Sequence, residues 1–123
     1  MAVVQIGLRT ESGIPQTLDA TDEHTPLADT GAGAGLINYT LVFNGSWNGT
    51  LQFEGGTKIS GTLNWDPIQA TNLNSGAVAT TTAGGTTTKE IWRIDSSGLD
   101  GVRVYATSVV GGTVTVTPTW TMG

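Results

Sequence analysis

The only histidine, His24, lies in an acidic stretch and is the first candidate for chemistry. Asp22, Glu23 and Asp29 surround it, and carboxylates with an imidazole are adequate ligands for a cation. Adjacent residues of an extended segment point in different directions, however, so these side chains are not expected to converge on one ion. A serine–histidine–aspartate relay is also disfavoured, because the chain has no Gly-x-Ser-x-Gly turn to expose a serine. The sequence therefore predicts neither a metal site nor a catalytic residue at this place.

Paired carboxylates are the other group that could do chemistry, since glycosidases place two of them about the scissile bond. The candidates fall at strand ends or on outward-facing strand positions, where carboxylates are solvated: Glu54, Asp66, Glu90 and Asp95. The glycine-rich run at 31–35 lacks the spacing and the lysine of a phosphate-binding loop, and we interpret it as a hinge. The absence of cysteine excludes thiol catalysis and thiolate zinc sites. We expect no enzyme activity, no catalytic residues, no metal and no cofactor.

The four tryptophans suggest a different function, because exposed indole rings can stack on sugars. Trp47, Trp65 and Trp120 fall on the apolar side of their predicted strands, which favours a place in the core. Trp92 lies in a segment that is apolar on both faces, so its place stays open between core and interface. Exposed aromatic side chains such as Trp92 or Tyr105 would serve a glycan- or receptor-binding module.

Charge and composition exclude several classes of partner. The chain carries 12% charged residues and a formal net charge of −5, with only five lysines and arginines. Nucleic-acid binding relies on clustered basic residues, so we expect no nucleic-acid partner. No apolar run approaches the ~20 residues that cross a bilayer. The first nine residues lack the charged and apolar regions of a secretory signal. We expect synthesis in a cytoplasm and no membrane partner.

Alternating apolar and polar residues indicate an all-β fold. Eighteen glycines and abundant threonine disfavour long helices. Leu36–Phe43 and Trp47–Glu54 alternate on either side of Asn44-Gly45, a strong hairpin signal. Gly55-Gly56 predicts a turn into a strand that ends at Asp66-Pro67. Further strands are predicted at 77–81, 90–95, 101–109 and 112–121, after a short first strand at 2–9.

About seven to eight short strands predict an antiparallel β-sandwich or small β-barrel. Pro118 cannot donate to a ladder, which favours an edge position for the last strand. Residues 10–35 fit neither strand nor helix periodicity, and proline and glycine interrupt them often. We therefore divide the chain into an N-terminal strand and extended acidic arm, 1–35, and a β-sandwich domain, 36–123.

Four motifs follow one another in the second part of the chain. Gly45-Ser46-Trp47-Asn48-Gly49-Thr50 opens a hairpin-like motif that continues to Gly55, and a second tryptophan, Trp65, follows. The later motifs are Trp92-Arg93-Ile94-Asp95, Val102-Arg103-Val104-Tyr105-Ala106 and Gly112-Thr113-Val114-Thr115-Val116-Thr117. In this order they resemble a β-module of tailed-bacteriophage virion proteins over about 80 residues, from Leu36 to Thr121. After Phe53 the chain departs from the module's usual Ser-x-Asp-Gly-x-x-Trp.

The resemblance implies a structural virion protein without catalytic residues, most similar to a capsid decoration (cement) protein. We expect it to bind the assembled major-capsid-protein lattice on the virion surface, after synthesis in the host bacterial cytoplasm, and to form a homotrimer. The alternative is a receptor- or glycan-binding module of a phage tail or fibre. Capsid attachment is predicted for apolar residues of the arm: Val3, Val4, Ile6, Leu8, Ile14, Leu18 and Leu27. The oligomer interface is predicted at apolar residues beyond those that one strand face needs: Ile91, Trp92, Ile94, Val109 and Val110.

Overall fold

The computed structural model describes residues 9–12, 14–26, 35–84 and 88–122, and it confirms the predicted all-β antiparallel fold. No helix in these ranges is long and apolar enough to span a membrane. The described residues form nine strands of different lengths in one antiparallel sheet. The strands are β1 (Arg9–Ser12), β2 (Gln16–Leu18), β3 (Leu36–Ile59), β4 (Thr62–Pro67), β5 (Ala70–Asn72), β6 (Val78–Ala79), β7 (Thr81–Thr82), β8 (Lys89–Asp95) and β9 (Gly101–Met122).

Two long strands, β3 and β9, organise the sheet. They pair antiparallel from Ile37↔Trp120 to Gly56↔Gly101, with irregular register between Asn44 and Leu51. The first half-sheet contains residues 36–44 of β3 with 113–120 of β9, and β8 pairs with β3 on its other side. The second half-sheet contains residues 51–56 of β3 with 101–106 of β9, and β4 and β7 pair with β3 there. The sheet stays open, with β1 and β6 at the ends of its strand order.

The two half-sheets face each other across the core. The Tyr39 hydroxyl of the first half-sheet donates to the Val102 carbonyl of the second at 3.3 Å. The Phe53 ring of the second lies 4.9 Å from Trp92, which pairs with Tyr39 in the first. A single sheet therefore folds back on itself and makes both layers of a sandwich. The buried apolar residues are Leu18, Ile37, Tyr39, Leu41, Phe43, Leu51, Phe53, Ala70, Trp92, Ile94, Val102, Val104, Ala106, Val114 and Val116.

Glycines allow the β3–β9 ladder to bend between its halves. Gly45 and Gly112 both have positive φ, +66° and +76°, a conformation that side chains of L-residues disfavour. A Cβ on Gly112 would lie 2.6 Å from the Trp47 Cα and 2.8 Å from the Asn44 carbonyl oxygen. The strands thus approach so closely at the bend that only glycine fits.

The Asn44-Gly45 signal was interpreted as a hairpin, and this interpretation is wrong. Residues 36–43 and 47–54 belong to one strand, and both pair with β9 instead of with each other. The positive φ of Gly45 that a tight turn requires serves equally for a bend within a strand. The Asn44-Gly45 sequence therefore predicts that the chain changes direction. It does not determine which strand the two flanking segments pair with.

The turn predicted at Gly55-Gly56 lies instead at Ser60-Gly61. Both residues of the observed turn have positive φ, +52° and +81°, as a two-residue hairpin of type I′ requires. Gly55 and Gly56 lie within β3 and pair with β4 and β9. A Cβ on Gly55 would lie 2.9 Å from Leu99, so this glycine makes room for packing. The predicted strand end at Asp66-Pro67 is confirmed.

The edge position predicted from Pro118 is wrong, because β9 has neighbours on both sides. It pairs with β3 on one side and with β1 and β2 on the other. The outer ladder is interrupted between Ser12↔Thr119 and Gln16↔Val116, and Pro118 falls in this interruption. A missing N–H is tolerated there because the outer pairing skips this position.

The order of burial among the tryptophans differs from the prediction. Trp92 is only 4% exposed, and its Nε1 donates to Glu90 at 2.8 Å. Trp47, Trp65 and Trp120 are half-buried instead. Trp47 contacts Phe43 and donates to the Ala83 carbonyl at the rim of the core. Trp92 is a core residue because the second half-sheet covers the face of β8 on which it lies.

We expect Gly112→Ala to destabilise the protein more than Gly76→Ala. Both glycines have nearly the same positive φ, +76° and +80°, but only Gly112 has backbone atoms where the new Cβ would lie. Gly76→Ala should therefore cost about 1–2 kcal/mol of unfolding free energy for conformation alone. Gly112→Ala should cost roughly 1–3 kcal/mol more because of the clash. Chemical denaturation of both variants measures this, and equal losses would contradict the role assigned to the bend.

Trp92→Ala should cost about 3–5 kcal/mol of unfolding free energy, as truncation of a buried tryptophan does. Trp47→Ala serves as the matched control and should cost clearly less, because this indole is half exposed. Denaturant melts of the two variants make the comparison. A larger loss for Trp47→Ala would mean that the bend, and not the middle of the sandwich, limits stability.

Candidate ligand-binding face

A group of mostly half-buried aromatic and polar side chains lies on the outer face of the second half-sheet. Glu54, which was predicted to be solvated, is buried within it. Side chains alternate along a strand, and in this half-sheet the apolar ones face the core. Gln52 and Glu54 of β3 therefore face outward, opposite Tyr105 and Arg103 of β9. Trp65 of β4 lies on the same face, because it pairs with Gly56, the next outward-facing position of β3 after Glu54. We call this group, with His24 and Asp22 beside it, the aromatic face.

Arg103 is the centre of the aromatic face. Its Nε donates to Glu54 Oε1 at 2.8 Å, and its guanidinium carbon lies 4.1 Å from the centre of the Trp65 ring. Gln52 donates to the second carboxylate oxygen of Glu54 at 2.7 Å. A Cβ on Gly56 would lie 3.1 Å from the Trp65 ring, so the missing side chain lets the indole lie over the strand. The ion pair and the cation–π contact together hold Arg103 and Trp65 in place.

Tyr105 and His24 extend the series of ring contacts that begins with Trp65 and Arg103. The Tyr105 ring lies 5.3 Å from the Arg103 guanidinium carbon, and the His24 ring stacks on Tyr105 at 6.1 Å with an interplanar angle of 11°. The Tyr105 hydroxyl donates to Asp22 Oδ1 at 2.6 Å. From β4 to the N-terminal segment, the order is tryptophan, arginine, tyrosine, histidine.

Backbone hydrogen bonds position the N-terminal segment beside β9. Asp22 N donates to the Ala106 carbonyl at 2.8 Å, and Thr25 N donates to the Val104 carbonyl at 2.9 Å. Val104 N in turn donates to the Thr25 hydroxyl, and Thr25 is buried. The prediction that residues 10–35 form no regular strand is wrong for two short segments, because β1 and β2 pair with β9. The described residues around Asp22 and Thr25 also lie along β9. Whether residues 1–35 form a unit separable from 36–123 stays a prediction.

The charged and hydroxyl groups of the aromatic face are paired with one another. The hydrogen bond to Asp22, together with that carboxylate's charge, raises the pKa of Tyr105 above its ordinary value. Burial raises the pKa of Tyr39, the other tyrosine, in the core. Glu54 is balanced by Arg103, and Asp22 is hydrogen-bonded by a phenol. This arrangement fixes the rings against one another, and it places no free acid–base pair at a reacting atom.

The acidic residues around His24 do not converge on one point. Glu23 Oε1 accepts hydrogen bonds from Asp19 N and Ala20 N, which lowers the pKa of Glu23. Asp22 instead faces Tyr105, and Asp29 lies outside the described residues. Within the described ranges no three histidine, cysteine, aspartate or glutamate side chains are grouped so that they could hold a metal ion.

The residues predicted for capsid attachment divide into three groups. Ile14, between β1 and β2, is 78% exposed. Leu18 pairs with Val114 and is buried in the core, so it does not present a surface to a partner in this fold. The others lie outside the described residues: Val3, Val4, Ile6, Leu8 and Leu27.

The residues predicted for the oligomer interface also differ in their burial. Trp92 and Ile94 are buried in the core of the chain itself and are corrected from interface to core residues. The physical reason is that the sheet folds back over the face of β8 on which they lie. Ile91 and Val109 are half-buried, whereas Val110, at the bend, is 75% exposed. Of the five, Val110 is the one that this fold leaves most accessible.

Sequence reasoning named Tyr105 as an exposed aromatic residue but missed Trp65 and Arg103. Trp65 was predicted to lie in the core, since it alternates with Leu63 on what looked like an apolar strand face. Gly56 carried a usable signal, because glycine inside a strand often marks the close approach of another group. The pairing of β3 with β4 was needed to show that this group is Trp65.

Comparisons with known proteins give one family and two similar structures. The model of the family described as XepA matches residues 38–119. The crystal structure of the SPBc2 prophage-derived protein YomS superposes with a TM-score of 0.76 at 16% identity, covering 98% of this chain and 99% of YomS. The crystal structure of the PBSX exported protein XepA superposes with a TM-score of 0.68 at 19% identity, covering 97% of this chain and 39% of XepA. No curated protein sequence matches significantly.

The chain thus corresponds to the whole length of one similar protein and to about two-fifths of the other. At these identities the two structures establish a shared fold. YomS is described as prophage-derived and XepA as a PBSX exported protein.

Replacing Asp22 by Asn should lower the pKa of Tyr105, because the carboxylate that raises it is removed. In the native protein the Tyr105–Asp22 hydrogen bond contributes stability fully below the ordinary tyrosine pKa of about 10. That contribution is lost as the pH rises through the raised value. Ultraviolet titration of tyrosinate should show an earlier first step in Asp22→Asn and an unchanged second step from the buried Tyr39.

Asp66→Asn, on β4, is the control for the loss of one carboxylate and should leave both steps in place. An unchanged first step in Asp22→Asn would contradict the hydrogen bond between Tyr105 and Asp22.

Proposed function

The chain belongs to the XepA family, and we propose that it is a non-enzymatic bacteriophage structural protein that decorates and stabilises the capsid by binding the assembled major-capsid-protein lattice. One observation carries this proposal. Three of the side chains considered for chemistry are engaged in structural contacts: Glu54 with Arg103, Glu90 with Thr82 and Trp92, and His24 with Tyr105. This use of the polar groups supports a role in binding. Binding the assembled lattice then stabilises it by mass action.

Exposed apolar side chains supply the contacts that the proposal needs. Ile14 and Val110 are 78% and 75% exposed, more than the other large hydrophobic residues in the described ranges. Burying such a side chain on a partner contributes about 1.5–3 kcal/mol. We assign Ile14 to the capsid contact and Val110 to the contact between copies of a homotrimer. The protein is made in the host cytoplasm and lies on the virion surface, a place that agrees with the description of XepA as exported.

A second candidate function is a receptor- or glycan-binding module of a phage tail or fibre. The specific observation in its favour is the aromatic face, which lies on the outside of the sandwich. Trp92, one of the aromatic residues considered for this function, is buried and does not contribute. Copy number separates the two functions: hundreds of copies per virion fit decoration, and a handful fits a tail module. A stained gel of purified virions, calibrated to the major capsid protein, measures it.

Ile14→Ser should weaken binding to capsid shells about tenfold or more, because one exposed apolar anchor is lost. Its stability should change by no more than about 0.5 kcal/mol, since the residue is on the surface. Co-sedimentation with shells that lack the protein measures the binding. Ile59→Ser, at a 62% exposed isoleucine on the β3–β4 hairpin, is the matched control and should bind normally. Equal binding by both variants and the native chain would contradict the role of Ile14.

A further inference from the structure

We propose that the outer face of the first half-sheet binds the acidic N-terminal segment of a second copy of this chain, head to tail. This contact rests on the homotrimer proposed above, whereas capsid binding does not depend on it. Three features of the molecule carry it: the place of the exposed apolar side chains, the charges beside them, and the positions of the two surfaces in the sheet.

Exposed apolar side chains are concentrated on the outer face of the first half-sheet. Seven large hydrophobic residues are exposed in the described ranges, and four of them lie on this face: Leu36, Val42, Leu73 and Val78. Leu36 and Val42 alternate with the buried residues of β3, so their side chains point outward. A group of exposed apolar residues on one side of a soluble domain marks a surface for another protein.

Strand pairing brings part of this group together. Val78 of β6 lies opposite Thr71 of β5, and Thr71 lies opposite Arg93 of β8, so these side chains share the outer face. The β5–β8 ladder continues to Leu73, whose N donates to the Ile91 carbonyl at 2.8 Å. Ile91 is half-buried, and Leu73 and Val78 are 40% and 55% exposed. Since adjacent strands lie about 4.8 Å apart, the three apolar side chains form a strip across β8, β5 and β6.

Two cations border this strip. Lys89, opposite Val42, and Arg93 are both exposed, and neither forms a salt bridge within the part of the chain that the structure describes. Arg93 Nε donates to the neutral Asn38 side chain at 3.2 Å. Asp95, the acid on the same face of β8, accepts from a backbone N–H two residues further on at 2.9 Å. We call six residues the basic face: Val42, Leu73, Val78, Lys89, Ile91 and Arg93.

The complementary surface lies on the N-terminal segment beside β9. Three acids fall within five residues there: Asp19, Asp22 and Glu23. No lysine or arginine occurs in the sequence from 14 to 26. The Thr21 hydroxyl accepts from Val109 N at 2.9 Å, which places this segment next to Val110, 75% exposed. We call four residues the acidic face: Asp19, Asp22, Glu23 and Val110.

The two faces lie on opposite sides of β3 in the sheet. The basic face extends through β8 and β5 to β6, and the acidic face lies beyond β9 on the other side. Each copy can therefore present one face to one neighbour and the other face to a second neighbour. A contact between two different surfaces closes into a ring when its rotation allows, and the homotrimer is a ring of this kind. Opposite charges favour this contact over one between like faces, although each chain carries a net charge of −5.

One charged variant of each face tests the contact. Val78→Asp removes an apolar side chain from the basic face and adds a carboxylate that repels the acidic face, and Val110→Lys does the converse. By sedimentation velocity, at sub-millimolar concentration and low ionic strength where charges are least screened, we expect an oligomer for the native chain and single chains for each variant. Ile59→Asp, at an exposed isoleucine outside both faces, is the matched control and should sediment as the native chain does.

A mixture of the two variants shows whether the contact is head to tail. Val78→Asp keeps the acidic face and Val110→Lys keeps the basic face, so the equimolar mixture should form a dimer with one copy of each and no larger species. Circular-dichroism melts verify that each variant is folded. A native chain that sediments as a monomer, a variant that keeps the native mass, or a mixture that stays monomeric overturns the inference. Co-sedimentation with capsid shells is measured separately, so either proposal can fail without the other.

Discussion

The bend in the β3–β9 ladder gives this domain its core. Two strands of more than twenty residues, paired along their length, would form a ribbon that buries neither face. Bending the ribbon where Gly45 and Gly112 meet places its two halves face to face. Each half then covers the apolar side chains of the other, and β8, with Trp92 and Ile94, is closed into the same core. The domain obtains two layers from one sheet because glycine fits where the strands approach most closely.

The bend also decides what faces outward. Once the apolar residues of both halves are directed inward, alternation sends the others to two outer surfaces with different chemistry. The outer surface of the first half-sheet has threonines on adjacent strands, such as Thr40 opposite Thr117. The outer surface of the second half-sheet has the aromatic face. The same backbone therefore supplies two outer surfaces of different composition.

The N-terminal segment adds to this arrangement by covering the outer edge of β9. Its backbone bonds with Val104 and Ala106 satisfy groups that an exposed strand edge would present to other chains. It also brings His24 and Asp22 to Tyr105, so the aromatic face is completed by a part of the chain far from β3 and β9 in sequence. Completion of the aromatic face and protection of the strand edge are thus two consequences of one contact. A chain with few charged residues relies on such contacts, because it has few salt bridges to position its surface groups.

The class of the fold and much of its inner face are predictable from local sequence patterns. Alternation predicted a strand over Leu36–Phe43, where Ile37 and Tyr39 are buried, and Asp66-Pro67 located the end of β4. Both signals act within a few residues of the chain. The tertiary structure decided everything that depends on which segments meet. Asn44-Gly45 has the same local conformation in a hairpin and in a bend, so only the pairing with β9 distinguishes them. Trp92 is a core residue because a distant half-sheet covers it. Arg103 meets Trp65 because β4 and β9 lie on opposite sides of β3, a neighbourhood that no local preference specifies.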